Sequence, residues 1–418
     1  MSEFSSQLMS AVRDRFAHVD SCPEQGPRIF FENAGGALTL KSVVERSNYY
    51  ASIPDNQGRA NSGSQALVDT IKQAKDDMHS LMNASAGQFF VGESGTELIF
   101  RLVTAACVET TEGGTVLGTT LEHPATRSAC ARWSKIARQK HVLVDHDVAS
   151  GTVSAQAYAD QVTPDTCVAT IVHTSPVTGM GVDIAAVSAA IRSVSPHCLI
   201  IVDGIQHAAH GQIDIDSYDV DGYVISPYKM FSRHGFGVAW ISDRMAALEH
   251  NNLVDGPADN WEMGTRDTGA YATMSDIHEY LCWLGSEVSD KTEAYEKILA
   301  AGKAIHNHEQ ALTHAMLNGI GNLMGLADMP GVNIIGGVDN PNREGLVAFY
   351  VDDKPAADIV EALNQRAIRT HVRKNDHYSS NILTPLQQDS CVRVSLCHYN
   401  SLDEVKEFLT VCKALLDG

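Results

Sequence analysis

The sequence predicts an α/β fold: a large unit on a mostly parallel sheet of seven strands, then a smaller C-terminal α+β unit. Seven short β-rich runs recur between residues 88 and 242, most of them separated by helical or irregular segments. These runs are apolar with little alternation, the pattern of strands covered on both faces by crossover helices. From about residue 271 the texture changes to long helical patterns and then to clustered strands.

Taken in order, residues 66–84 place Leu67, Ile71, Met78, Leu81 and Met82 at helical spacing. QFFVG (88–92) reads as a strand, and Ser94 three residues before Glu97 is a capping-box pattern that opens a helix. TVLG (115–118), HVLVD (141–145), CVATIVH (167–173), CLIIVD (198–203) and YVIS (223–226) follow as strands, with DIAAVSAAIRSV (183–194) a helix. FGVAWIS (236–242) follows YVIS too closely for a crossover helix, so antiparallel pairing is expected. After two long helices, VNIIGG, GLVAFYV, AIRTHV and CVRVSL read as strands, and SLDEVKEFLTVCKALL as a last helix capped by Ser401 with Glu404. The expected division is an N-terminal arm (1–25), a large unit (26–270), and an interdomain helix with a small unit (271–418).

A hydrophobic share of 44% over 418 residues is ample for a core. Lys and Arg total 31 against 51 Asp and Glu, a net charge of −20. So acidic a surface repels nucleic acid and anionic lipid, and neither is an expected partner. Nine cysteines are scattered without a CxxC pair, which argues against a disulfide framework or a metal site. No run of about eighteen apolar residues suggests a membrane span. The N-terminus lacks the basic start and apolar stretch of a signal peptide, so a cytoplasmic location is expected.

In an open parallel sheet, ligands bind beyond the carboxyl ends of the strands. CLIIVD ends in Asp203, with Gln206 and His207 after it; YVIS ends in Ser226, followed by Tyr228 and Lys229. The GESGTE turn offers the backbone N–H groups of Gly95 and Thr96 at a helix N-terminus, a place for an anion. A phosphate needs such a cradle, a protonated pyridine nitrogen needs a carboxylate, and an aldehyde needs an amine. Together these are the demands of pyridoxal 5′-phosphate (PLP), with Lys229 as Schiff-base lysine and Asp203 as pyridinium partner. Neither GxGxxG nor GxxxxGK[ST] occurs, which disfavours an unrelated nucleotide-binding protein.

The stretch VDGIQHAAHGQIDIDSYDVDGYVISPYKMFSRHGFGVAWIS resembles the cofactor-binding core of class V aminotransferases, the cysteine desulfurase-like branch of the fold-type I PLP-dependent transferases. FENAGGAL, FVGESGTELI, LEHPATRSACARW, VHTSPVTGMGVDI, WEMGTRDTG and VRVSLCHYNSLDEVKEFL resemble further family segments in family order. The resemblance implies that His123 stacks on the cofactor ring and Gln206 donates to its phenolic oxygen. It implies that Gly95, Thr96, Ser226 and Tyr228 hold the phosphate, with Gly264 and Thr265 reaching in from the partner of a homodimer. Arg393 would grip the substrate carboxylate, near Ala34 and Gly35. Helix capping is the competing role for His123, and His207 is left without one.

Three departures stand out. The segment 369–386, where the desulfurases of this family carry a nucleophilic cysteine, has none. Cys391 and Cys397 share the alternation parity of Arg393 and read as structural thiols. Pro176 stands where many members have Asn, and Tyr228 where many have His. The leading expectation is a PLP-dependent lyase acting on a small amino acid by β-elimination, without a persulfide cysteine. Aminotransfer and epimerisation are alternatives, the latter using His371, His377 or Tyr378 on the second ring face; a non-enzymatic PLP-binding protein is the remote one.

Overall fold

The computed structural model describes residues 4–416. Its large sheet contains β1 (Gln88–Gly92), β2 (Thr115–Thr119), β3 (Lys140–Val144), β4 (Thr166–Val172), β5 (Leu199–Asp203), β6 (Gly222–Ile225) and β7 (Gly237–Ile241), in the spatial order β1-β7-β6-β5-β4-β2-β3. Strands β2 to β6 run parallel. β7 is antiparallel to both β6 and β1, as the short β6–β7 connection requires. β3 lies on one side of β2 and β4 on the other, so the chain leaves in opposite directions at the β2–β4 junction. That switch point opens a crevice at the carboxyl ends of the strands.

The strands are apolar on both faces because both faces are covered. Ile200 and Val202 of β5 join one core, while Leu199 and Ile201 join another. The second core is closed by Leu98, Leu102 and Val103 of α1 (Gly95–Glu109). α2 (Pro124–Ile136) and α3 (Ile184–Val194) follow β2 and β4, and Asp183 caps α3.

Two long helices, α4 (Thr268–Val288) and α5 (Ala294–Asn318), lead to a four-stranded antiparallel sheet. Its strands are β8 (Val332–Ile334), β9 (Leu346–Val351), β10 (His371–Lys374) and β11 (Ser390–Ser395), ordered β8-β9-β11-β10. Helix α6 (Ala356–Gln365) and the terminal helix α7 (Leu402–Leu416) pack on it through Leu363, Phe408 and Leu409. Ser401 and Glu404 form the reciprocal capping box. At α1 the box is altered: Ser94 accepts from the Glu97 N–H, but the Glu97 carboxylate accepts from the Glu93 N–H.

Two details differ from the sequence expectation. AIRTHV is not one strand: Ile368–Arg369 pairs in parallel with Ile29–Phe30, and only His371–Lys374 enters the C-terminal sheet. An apolar run does not reveal a change of partner midway. Within residues 369–386, β10 is followed by a short helix that the sequence reading did not contain, Ser380–Leu383, which buries Ile382 and Leu383. Four residues are too few to show helical periodicity.

Candidate active site

A cleft lies at the switch point, lined by Thr96, His123, Thr174, Pro176, Asp203, Gln206, Ser226, Tyr228 and Lys229 among others. Strand ends supply most of this wall. Asp203 is the last residue of β5, and Lys229 ends a single 3-10 turn, Pro227–Lys229, just after β6. Thr96 opens α1, and His123 is the N-cap of α2.

The Lys229 ammonium donates to Gln206 Oε1 at 3.1 Å. Burial, reinforced by repulsion from Arg393, lowers its pKa to about 7, although Asp203 pulls the other way. Asp203 is buried; its Oδ2 accepts from Thr126 Oγ1 at 3.0 Å and its Oδ1 from the Ile205 N–H at 3.2 Å. Burial nevertheless raises its pKa, so a cationic partner in the cleft would be welcome. His123 does cap its helix, accepting from the Ala125 N–H at Nδ1, 3.2 Å. The ring also lines the cleft, so capping does not withdraw it from the site. Burial and nearby Lys229 hold it neutral, at a pKa of about 4.

Gly95 shows why glycine is required there: an added Cβ would collide with the Ser226 hydroxyl and with Ile205 Cδ1. The helix N-terminus can therefore approach the end of β6 closely, leaving N–H groups and the Thr96 and Ser226 hydroxyls around one space. Tyr228 stacks on His234, with ring centroids 4.3 Å apart, and presents its other flank to the cleft.

Arg393 lies on β11, buried, and one guanidinium nitrogen donates to the Pro176 carbonyl at 2.9 Å. Pro176 thus supplies a backbone acceptor where its side chain has none. Burial, with Arg373 nearby, lowers the Arg393 pKa to about 9. Asn33–Gly35 forms a 3-10 turn held by the Ala34 N–H on Ser395 Oγ, 2.8 Å. It brings the Gly35 Cβ position to 3.8 Å from Arg393 Nη2. Gly264 and Thr265 do not line this cleft; Thr265 borders another, beside Gln57 and Arg266.

Several contributors escape sequence reading. Thr126 sits one turn after His123 and was accessible as an i, i+3 neighbour. Glu122 is buried beneath the site, its carboxyl pushed up to about 8 by burial and bonded to Thr170 at 2.7 Å. Arg373 reaches the same side of the C-terminal sheet because it pairs directly with Cys391. His210 and Glu309 lie behind Gln206.

Residues 29–274 and 289–408 match the profile of the class-V aminotransferases. The chain belongs to that family. A cysteine desulfurase-like protein of Aspergillus flavus is 25% identical over 405 residues, 92% of this chain and 86% of that protein. An aminotransferase-like protein of Gibberella zeae is 23% identical over 430 residues, covering 99% of each. The fold matches a cysteine desulfurase of Thermococcus onnurineus with a TM-score of 0.82 at 19% identity, over the whole of both chains. This chain is therefore a cysteine desulfurase-like member of a PLP-dependent family.

The residues present fit that cofactor. A Cβ at Gly95 would fill the space beside Ser226, Asp203 is a buried carboxylate that forms no ion pair among the described residues and is bonded to Thr126 and the Ile205 N–H, and Lys229 is an amine with depressed basicity at the same cleft. Gly95, Thr96 and Ser226 would hold a phosphate, Asp203 a protonated ring nitrogen, and Lys229 the aldehyde carbon. No helix among the described residues is long and apolar enough to cross a membrane.

Proposed function

We propose that the chain is a PLP-dependent lyase that breaks a bond at Cβ of a small amino acid, in the manner of a desulfurase but without a persulfide cysteine. The observation that carries it is the meeting of Lys229, Asp203 and the Gly95 cradle in one cleft, with Arg393 approaching through Pro176. When bound, PLP supplies an electron sink for the substrate Cα. The protein's part is then positional. Arg393 would take the α-carboxylate in a planar grip and so orient the substrate. Lys229, with a pKa of about 7, can accept the Cα proton and return it at neutral pH. His123, neutral and fixed by its cap, would cover the ring face. The partner subunit would complete the phosphate site through Gly264 and Thr265.

The lyase reading over a persulfide route is supported by the thiols. Segment 369–386 has no cysteine. Burial pushes the Cys391 thiol up to about 12 and Cys397 well above its ordinary value, so neither is a ready nucleophile. Cys391 lies on β11 with Arg393; Cys397 lies beyond the strand.

The test is a visible spectrum of wild type and Lys229→Ala with L- and D-amino acids, followed by assay of keto acid and ammonia. A wild-type band altered by the substitution, with keto acid and ammonia from a Cβ-substituted amino acid, is expected. No band in the presence of added PLP would remove the cofactor. A band with amino-group exchange to a second keto acid would make the protein an aminotransferase, and loss of stereochemistry without elimination an epimerase.

A further inference from the structure

We propose that the buried His210–Glu309 pair is the positioning device for Gln206, and that filling the cleft with an acceptor oxygen takes up one proton at this pair. The inference rests on the proposed cofactor and concerns His210 and Glu309, to which the family resemblance gave no role. Gln206, His210 and Glu309 are each at most 4% exposed, and Glu309 comes from helix α5, 99 residues beyond His210.

The hydrogen bonds define one proton arrangement. Lys229 Nζ donates to Gln206 Oε1, so the Gln206 amide nitrogen points the other way, 3.2 Å from His210 Nε2. An amide nitrogen only donates, so His210 Nε2 must accept. The ring proton is then on Nδ1, which donates to Glu309 Oε2 at 2.8 Å. The pair as a whole is a neutral imidazole and a carboxylate.

An acceptor oxygen in the cleft, such as a phenolate, reverses the demand. Gln206 must then present its NH₂ forward and its carbonyl to His210. His210 Nε2 must carry a proton, while Nδ1 still faces the Glu309 carboxyl. Whether the extra proton makes an imidazolium or moves to Glu309, the pair holds one more than before, taken from solvent. Leaving it out would set two lone pairs against each other in a dry interior.

The surroundings favour that uptake. Burial opposes charge on His210, but the Glu309 carboxylate, aided by Glu344, outweighs it and raises the imidazole's basicity. Lys229 acts against it. His207, His306 and His398 are the neighbouring imidazoles, and Cys397 adjoins the pair. His398 is held neutral by burial and His306 is lowered, whereas His207 is committed to Glu344 at 2.6 Å.

Calorimetric titration of the cofactor-stripped full chain with PLP, in two buffers of different ionisation enthalpy, counts the protons taken up. The phosphate contributes equally in all variants, and Lys229 equally in those that keep its Gln206 acceptor. Wild type is expected to take up more than Gln206→Leu, by up to about one proton per site. Glu309→Gln and His210→Phe should fall to the Gln206→Leu value, with thermal melting to show that each is folded. The pH at which PLP affinity weakens should shift in Glu309→Gln, which a purely structural role would not move. Equal proton counts in folded wild type and Gln206→Leu, with a visible band in both, would overturn this inference alone. No binding and no band would overturn the proposed cofactor and this inference with it.

Discussion

Asp203 and Arg393 are both buried charges beside one cleft, and they are held in different ways. Asp203 sits at a strand end and accepts from a helix hydroxyl and a backbone N–H. Among the described residues Arg393 bonds to the Pro176 carbonyl, forms no ion pair, and keeps its Nε without a partner. The large sheet thus presents a nearly finished half-site. The C-terminal sheet presents a cation still short of partners. A group that stays bound can be met by fixed dipoles, whereas a substrate carboxylate must find a charge left available to it. The cost is an underpaired guanidinium in the free protein.

The largest break in this comparison is Lys229→Ala. Turnover should fall by about a thousandfold or more, and the visible band should be lost or shifted, because the attaching amine and proton carrier are one group. A variant with an unaltered spectrum and rate would move the chemistry elsewhere. Next comes Arg393→Leu. A charge-assisted hydrogen bond is worth about 1.5–3 kcal/mol, so amino-acid affinity should weaken by roughly ten- to a hundredfold. Cofactor absorbance should persist, and the melting temperature should hold or rise because an underpaired buried charge is gone. Unchanged substrate affinity in spectral titrations would end its assignment to the carboxylate.

Gly95→Ala probes the other half. Overpacking against Ser226 should cost about 1–3 kcal/mol, read as weaker PLP binding. Loss of stability without loss of PLP affinity would separate the close approach from the cradle.

The depressed basicity of Lys229 gives a pH test. The neutral amine is the nucleophile, so the rate of PLP attachment should climb through pH about 7 and level off above it. Between about 7 and 10.5 the unfolded chain binds the proton that the folded lysine does not. Stability therefore rises with pH across that window and is flat below it. Continued climbing to pH 9 in stopped-flow absorbance would mean a solvated amine. The smallest effect belongs to Cys391→Ala, which should cost about 1 kcal/mol in stability and leave turnover within about twofold. Abolished sulfur release in that variant, with the fold intact, would restore a persulfide route.

The legibility of the molecule follows the same division. Lys229, Asp203, Ser226 and Gly95 could be read because each lies within a few residues of a strand end or helix start that its own neighbours define. The antiparallel β7 was legible for a similar reason, since ten residues separate Ser226 from Gly237 and leave no room for a crossover. Arg373 was hidden because only the β10–β11 register sets it opposite Cys391, on the face of Arg393. The split at Thr370 was hidden because the same apolar run serves two different ladders.

By itself the sequence determined the order of strands and helices, the double covering of the large sheet, and the chemistry available at the strand ends. These follow from local pattern: apolar run length, caps, and the distance between runs. The tertiary structure alone decided that Pro176 holds Arg393 by its carbonyl, that His123 both caps a helix and lines the cleft, and that Glu309 stands behind Gln206. Those are contacts between segments far apart in the chain, and their geometry exists only once the core has fixed where each backbone lies.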